Sequence, residues 1–168
     1  MKPINVLSII QGHRNLSTPL FQKLMTCYGI DPIKGIRDHE IDGIESLFAE
    51  LFKCNSDVSC SDSFYLGYSI PQIGKEFDLL RFGKEYIINI EIKSEFNFDK
   101  IYKQQIRNNY YLSFLKKEIY IYTYVSNENK LFRLVHSPIN SSIQEVHISE
   151  LSEKLLSQSV ITFNDIDT

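Results

Sequence analysis

The order of periodic segments predicts an α/β protein with a mixed central β-sheet flanked by helices. Apolar residues recur at helical spacing in Asp38–Cys54 and in Asn97–Lys117. Runs rich in Ile, Tyr and Phe lie between and after these two segments, as is typical of strands. Helices and groups of strands therefore alternate, and active sites in such folds gather where strand ends meet helix ends.

Length and composition favour a single domain. The 168 residues can bury a substantial core. We predict one domain over 1–168, with an N-terminal helical extension at 1–37, a core at 38–135, and a C-terminal helix and tail at 136–168.

The helices are predicted from caps and spacing. Ser17-Thr18-Pro19 has the hydroxyl and proline of a helix start, and Gly29 ends that helix. Asp38–Cys54 carries one apolar stripe and acids in its first half. A short helix is predicted within Val146–Gln158, whereas Met1–Arg14 favours neither helix nor strand.

The strands are predicted from alternating or continuous apolar runs bounded by turn residues. Gly83-Lys84 is predicted to be a hairpin turn. Pro138–Ser142 is predicted to be a loop, and Val160–Asp167 a last strand or a docking tail. The predicted strands are Phe64–Ile70, Lys75–Arg81, Tyr86–Lys93, Glu118–Val125 and Leu131–Val135.

Charge is unevenly distributed along the chain. The net charge is −3, so a nucleic-acid partner requires a local basic surface. Between Lys84 and Lys117 there are seven Lys or Arg against four acids, whereas Asp38–Asp62 has seven acids against one Lys. The basic excess fits either a solvated helix face or a contact with nucleic acid.

The cysteines and the N-terminus indicate a cytoplasmic protein without membrane contact. Three cysteines with no CxxC pair disfavour a disulfide framework or a zinc site. The N-terminal apolar run is too short and too polar for a signal peptide, and the chain has no 18-residue apolar run.

The hairpin Phe77–Ser94 carries the strongest functional pattern. Period-two alternation places Glu91 and Lys93 on one face of the second strand and apolar Ile side chains on the other. The hairpin would bring Asp78 of the first strand near Glu91. Two carboxylates and an ammonium above an apolar underside predict a metal site.

This set of groups suits phosphodiester hydrolysis. A divalent ion offsets charge on the phosphate and activates water. Mg²⁺ or Mn²⁺ prefers oxygen ligands, which Asp78, Glu91 and the Ile92 carbonyl could supply. Lys93 would lie within reach of the attacking water, where it could orient or deprotonate that water or neutralise charge.

The pattern EFDLL, a spacer and IEIK resembles the PD-(D/E)xK nucleases, which have the restriction-endonuclease-like fold. The matching residues are Asp78, Glu91 and Lys93, and the resemblance covers roughly Asp38 to Val135. In that family a preceding helix donates another acid to the metal cluster. The resemblance therefore implies Glu45 as a third acidic ligand.

Many members of the family carry QxxxY on the helix after the lysine strand. Here Gln105 lies five residues before Tyr110, so the strict motif is absent. The resemblance still implies that Gln105 touches DNA or orients the site, while a structural hydrogen bond is the alternative. Phe77 replaces the proline that the family places before the first acid.

The resemblance implies a Mg²⁺-dependent DNA endonuclease, in a defence or repair system. Relatives often act as dimers, or are fused to a helicase or ATPase. Since the chain has no GxxxxGK[ST], such a motor would lie on another chain or beyond Thr168. Two alternatives remain: a catalytically inactive nuclease-fold module that binds nucleic acid or a protein, and a plain interaction domain.

Overall fold

The computed structural model describes residues 2–31, 36–70, 72–137 and 139–161. Five α-helices and six β-strands lie within these ranges. The helices are α1 Val6–Asn15, α2 Thr18–Cys27, α3 Asp38–Cys54, α4 Phe98–Leu112 and α5 Ile148–Ser157. The strands are β1 Tyr65–Ile70, β2 Lys75–Phe82, β3 Tyr86–Lys93, β4 Glu118–Val125, β5 Lys130–His136 and β6 Ser141–Val146.

The strands form one open sheet in the order β1-β2-β3-β4-β5-β6. Neighbouring strands are antiparallel, except that β3 and β4 are parallel. A parallel pair needs a crossover connection, which α4 provides between β3 and β4. The predicted α/β class with a mixed sheet is confirmed.

Helices cover both faces of the sheet. The largest core cluster joins Ile88, Ile90 and Ile92 of β3 to apolar side chains of α1, α3 and α5. On the opposite face, Leu112 of α4 packs against side chains of β2 and β3, and Ile101 of α4 packs against β4 and β5. The shared face predicted for the three β3 isoleucines is confirmed.

Most predicted elements lie where the sequence places them, but β6 does not. Residues 138–142 are predicted as a loop, yet Ser141 begins a strand that pairs with β5. This prediction was wrong because β6 is an edge strand whose residues are all at least partly exposed, so its polar sequence lacks an apolar alternation.

The sequence predicts the two ends of the chain less well than the central elements. Residues 6–14, for which the sequence favours no element, belong to α1, whose N-cap Asn5 accepts a hydrogen bond from Leu7 N–H at 2.9 Å. Most of Val160–Asp167 lies outside the described residues, although Val160 itself bridges to Gly83. No helix in the described ranges is long and apolar enough to cross a membrane.

Candidate active site

The β2–β3 hairpin places Asp78 and Glu91 opposite each other where its regular pairing ends. The last ladder pair joins Leu79 to Ile90. One step further, side chains replace the main-chain partners. Ile92 N–H donates to Asp78 Oδ2 at 2.9 Å, and Asp78 N–H donates to Glu91 Oε2 at 3.3 Å. The two carboxylates therefore sit side by side across the opened strands.

A glycine on β1 accompanies this opening. Gly67 lies between the pairs Leu66–Leu79 and Tyr68–Phe77, which places it opposite Asp78, and its φ is +62°. Residues other than glycine rarely adopt a positive φ. Here the alternation of β2 also changes, because Phe77 packs with Leu80 rather than with Leu79.

Glu91 is held by two asparagines. It is 1% exposed, and its Oε1 accepts hydrogen bonds from Asn108 Nδ2 at 2.7 Å and from Asn89 Nδ2 at 3.3 Å. Asn108 also donates to Asn89 Oδ1 at 2.8 Å. Because Asn108 lies on α4 and Asn89 on β3, this network fixes the carboxyl group between helix and sheet.

Burial makes the Glu91 carboxyl group an unusual acid. It raises the pKa of Glu91 well above the ordinary value, and the adjacent charge and hydrogen bond of Asp78 raise it further. The Lys75 charge and the hydrogen bond from Asn89 oppose that shift. Two carboxyl groups in such contact favour sharing a proton or binding a cation over carrying two free charges.

One cation, Lys75, acts on the buried acid Glu91, and two more, Lys93 and Arg107, lie near enough for their charges to act on Lys75. Lys75, at the start of β2, is half-buried, and burial lowers its pKa. The charges of Glu91 and Asp78 counter that effect, whereas those of Arg107 and Lys93 reinforce it. The ammonium of Lys75 also lies 5.1 Å from the centre of the Phe77 ring.

Lys93 ends β3 and faces a pocket. The pocket is lined by the first turn of α3, by the residues after β3 and by Ser126. Within the described residues, no carboxylate lies within ion-pair distance of the Lys93 ammonium. His39 and Glu40 line the same pocket, so the start of α3 is the part of that helix beside Lys93.

Glu45, the acid that the family resemblance implies, has a different neighbour. It forms an ion pair with Arg14 of α1. Glu40 lies nearer the hairpin: its charge, after burial and the charge of Asp78, raises the pKa of Glu76. Glu40 also accepts a hydrogen bond from Arg37 N–H at 2.8 Å, which caps α3.

Gln105 is fully buried between α4 and the sheet. Its Nε2 donates to Thr123 Oγ1 at 2.9 Å and to the Phe132 carbonyl at 3.2 Å. Thr123 is the β4 residue paired with Glu91 in the parallel ladder. Gln105 therefore ties α4 to β4 and β5 beside the acidic pair, and Asn108, one turn later, is the α4 side chain that touches Glu91.

The donor set fits a hard divalent ion. Asp78 and Glu91 supply carboxylate oxygens, and the Ile92 carbonyl lies on the same edge of β3 as the N–H that contacts Asp78. Mg²⁺ is often held by one or two protein carboxylates, with water and substrate phosphate completing its shell. Across the described ranges, no group of three or more His, Cys, Asp or Glu residues could hold a metal ion.

Comparison with protein-family models, with curated proteins and with solved structures finds no match to this chain.

Asn89, Asn108 and Lys75 also surround the pair, and the sequence patterns above do not predict them as site residues. Asn89 is a polar residue in the apolar run YIINI, two positions before Glu91 and hence on its face of β3. Asn108 is three residues after Gln105, on the same helix face. Lys75 is three positions before Asp78, and only the folded chain brings it close enough for the charges of both acids to act on it.

Proposed function

We propose that this protein is a metal-dependent nuclease that hydrolyses phosphodiester bonds of DNA. The observation that carries the proposal is the pair formed by Asp78 and Glu91, each held by a main-chain N–H of the opposite strand. Their surroundings also support it, because Lys75, Lys93 and Arg107 bring positive charge to a site with two acids. Such a mixture suits a bound cation next to a phosphate.

We propose that Mg²⁺ or Mn²⁺ is held by Asp78, Glu91 and the Ile92 carbonyl. When bound, the ion would activate a water molecule and offset the negative charge of the phosphate. Asn89 and Asn108 orient the carboxyl group of Glu91 through its Oε1. The main-chain contact of Ile92 orients the carboxylate of Asp78.

The reaction is hydrolysis and needs no oxidant or reductant. The water oxygen forms a new bond to phosphorus, the bond from phosphorus to the leaving oxygen breaks, and that oxygen takes up a proton. Lys93 orients the water as an ammonium or, as a neutral amine, receives its proton, and charge builds on the phosphate oxygens in the transition state. Lys75 and Arg107 supply positive charge near those oxygens.

The restriction-endonuclease-like fold is part of the same proposal. It is supported by an acidic helix, α3, before the hairpin and by the α4 crossover after the lysine-bearing strand. The proposal extends to a cytoplasmic setting and to a defence or repair system. A dimer, or a helicase or ATPase on another chain or beyond Thr168, is part of it too.

The test is a cleavage assay on plasmid and single-stranded DNA with Mg²⁺, Mn²⁺, Ca²⁺ or EDTA. We expect cleavage with Mg²⁺ or Mn²⁺ and none with EDTA. Lys93→Ala should abolish cleavage while the circular dichroism spectrum and the melting temperature stay close to those of the unmodified protein. Lys84→Ala, in the exposed β2–β3 turn, is the matched control and should cleave normally.

Two results would contradict the proposal. Cleavage that persists unchanged in Lys93→Ala would assign the activity to another site or to a contaminant. DNA binding that survives EDTA, with no cleavage in any of the metals, would instead favour a catalytically inactive nucleic-acid-binding module.

A further inference from the structure

Helix α4 presents a second surface on the side away from the sheet. Its buried row, Ile101, Gln105, Asn108 and Leu112, faces the strands. On the remaining surface, side chains four residues apart form a slanted row that continues into the short 3₁₀ turn after α4. We call this row the aromatic ridge; it consists of Phe98, Tyr102, Ile106, Tyr110 and Phe114.

The aromatic ridge is unusually exposed for its composition. Phe98, Tyr110 and Phe114 are 51%, 59% and 68% exposed. The Tyr110 and Phe114 rings meet edge to face with centroids 5.4 Å apart, and Phe98 stacks on Tyr102 at 5.8 Å with the planes 5° apart. The rings thus support one another while leaving flat surfaces open to solvent.

A cationic row runs beside the aromatic ridge. Lys100, Lys103 and Arg107 are exposed and follow one another at spacings of three and four residues. α4 contains three cations against one acid, Asp99, although the whole chain has a net charge of −3. Positive charge is therefore concentrated next to the exposed rings.

The same helix reaches the acidic pair. Asn108 of α4 donates to Glu91 at 2.7 Å, and the preceding residue, Arg107, is close enough for its charge to act on Lys75. Arg107 precedes Tyr110 by three residues, so it lies between the site and the exposed end of the aromatic ridge. A DNA strand bound along this surface would therefore continue into the Asp78–Glu91 site.

We propose that the aromatic ridge and the cations beside it bind single-stranded DNA and deliver it to the Asp78–Glu91 site, an inference that rests on the proposed nuclease function. Flat exposed rings stack on unpaired bases, while neighbouring Lys and Arg follow the phosphates. A duplex hides its base faces, so it would use the cations alone. A protein partner could use the rings and Arg107, but Lys100 and Lys103 are of a type depleted from interface cores and suit phosphates.

The experiment measures binding apart from cleavage. A fluorescein-labelled oligothymidylate of roughly 16 nucleotides is titrated with the full chain in EDTA, and anisotropy is recorded. A duplex of the same length is titrated in parallel. We expect tighter binding to the single strand, and a Kd that rises by about 5-fold to 100-fold in Tyr110→Ala and in Phe114→Ala.

Matched variants separate stacking from other effects. Tyr110→Phe keeps the ring and should bind normally, whereas Tyr110→Leu keeps an apolar side chain without a flat face and should bind weakly. Leu20→Ala, at an exposed apolar position of α2, is the control for lost apolar surface. Lys103→Ala should lower the slope of log K against log salt by about 0.7, and Lys23→Ala on α2 should not.

Several results would overturn the inference that α4 binds single-stranded DNA. Binding to the duplex that equals or exceeds binding to the single strand would do so, as would an unchanged Kd in Tyr110→Ala and Phe114→Ala. The same holds if Tyr110→Leu binds as well as Tyr110→Phe, or if the two alanine variants only abolish self-association or capture of a protein. Absence of single-strand binding at low salt is equally decisive.

Failure of the proposed single-strand surface can be distinguished from failure of the proposed nuclease function. Metal-dependent cleavage that is unaffected in Tyr110→Ala and Phe114→Ala would remove the single-strand surface and leave the nuclease standing. Ring-dependent binding of the oligothymidylate without cleavage in any metal would remove the nuclease and leave the surface.

Discussion

Asp78 and Glu91 each accept a hydrogen bond from the main chain of the opposite strand, at 2.9 and 3.3 Å. These contacts replace the backbone ladder where the hairpin opens. They keep two acidic groups together although their charges repel each other, and burial of Glu91 makes that repulsion stronger. A divalent ion between them would relieve it.

Asp78→Asn should therefore remove activity without removing the fold. The amide oxygen can still accept from Ile92 N–H, but the charge that would hold the ion is lost. We expect cleavage to fall by on the order of 100-fold or more, measured as the initial rate of plasmid nicking in Mg²⁺. Asp42→Asn, on the exposed side of α3, is the control and should retain the full rate. Equal rates in both variants would exclude Asp78 from the site.

Glu91→Gln should change how stability depends on pH. Folding raises the pKa of Glu91, so the folded chain binds the proton more tightly than the unfolded chain. The free energy of unfolding of the metal-free protein should therefore fall as pH rises from about 4.5 through the raised pKa. The glutamine is neutral like the protonated acid, so the variant should lack that slope, although its amide nitrogen in place of Oε2 leaves the Asp78 N–H without its acceptor.

Urea unfolding in EDTA at several pH values measures this difference. In Glu91→Gln the removal of a buried charge stabilises and the lost acceptor of the Asp78 N–H destabilises, each by on the order of 1 kcal/mol, so the two proteins should have similar stability at neutral pH. Below about pH 4.5 the unmodified protein should be the more stable one, because its neutral acid keeps that acceptor. Mg²⁺ should raise the melting temperature of the unmodified protein, less so at lower pH, and should not affect Glu91→Gln. A parallel pH dependence in both proteins would refute this account of Glu91.

Asn108→Ala should lower stability because it leaves Glu91 Oε1 with only its weaker contact from Asn89. Removing a hydrogen-bond partner of a buried polar group costs about 1–3 kcal/mol. For a chain of this size, that corresponds to a drop in melting temperature of about 2–12 °C. Differential scanning fluorimetry in EDTA measures it.

Asn109→Ala provides the matched comparison, because Asn109 is the next residue on α4 and is partly exposed. It should change the melting temperature little. If both variants melt alike, the contact of Asn108 with Glu91 contributes no stability.

The sequence predicts the hairpin well because both determinants are local. Period-two alternation identifies the faces of β3, and a glycine turn sets which residues of β2 and β3 meet. The same reasoning is weaker for β6, because an exposed edge strand needs no apolar alternation. Local spacing does not identify α1 either, because its apolar residues are explained only by their packing against α2 and α3.

The neighbours of the acidic pair depend on tertiary contacts. Glu45 and Glu40 are both acids on α3, and the rotation of that helix decides which of them lies nearer the hairpin. Gly43 sets the rotation, since a Cβ there would lie 2.4 Å from Ile92 Cγ2. Local spacing cannot supply such a contact, nor the choice between Gln105 and Asn108 as the residue that touches Glu91.

Lys75→Met should separate metal binding from DNA cleavage. The Lys75 charge acts on both acids, so its removal should strengthen binding of a divalent ion, because an ammonium and a metal ion repel each other. Removal of the Lys75 charge should also weaken binding of the DNA phosphate. Each effect should amount to at least about 2-fold to 10-fold, which is the range for a unit charge at contact distance in water, because Glu91 is buried and Lys75 half-buried.

Isothermal titration with Mg²⁺ gives the metal affinity, and initial rates at varied DNA concentration give KM and kcat. We expect a lower Kd for Mg²⁺ and a higher KM for DNA in Lys75→Met, whereas Lys84→Met, in the exposed turn, should match the unmodified protein. A weaker affinity for Mg²⁺ in Lys75→Met would contradict the placement of its ammonium beside the two acids. The Lys75 ammonium lies over the Phe77 ring, and methionine places an unbranched apolar side chain beside that ring, so loss of packing would not explain such a result.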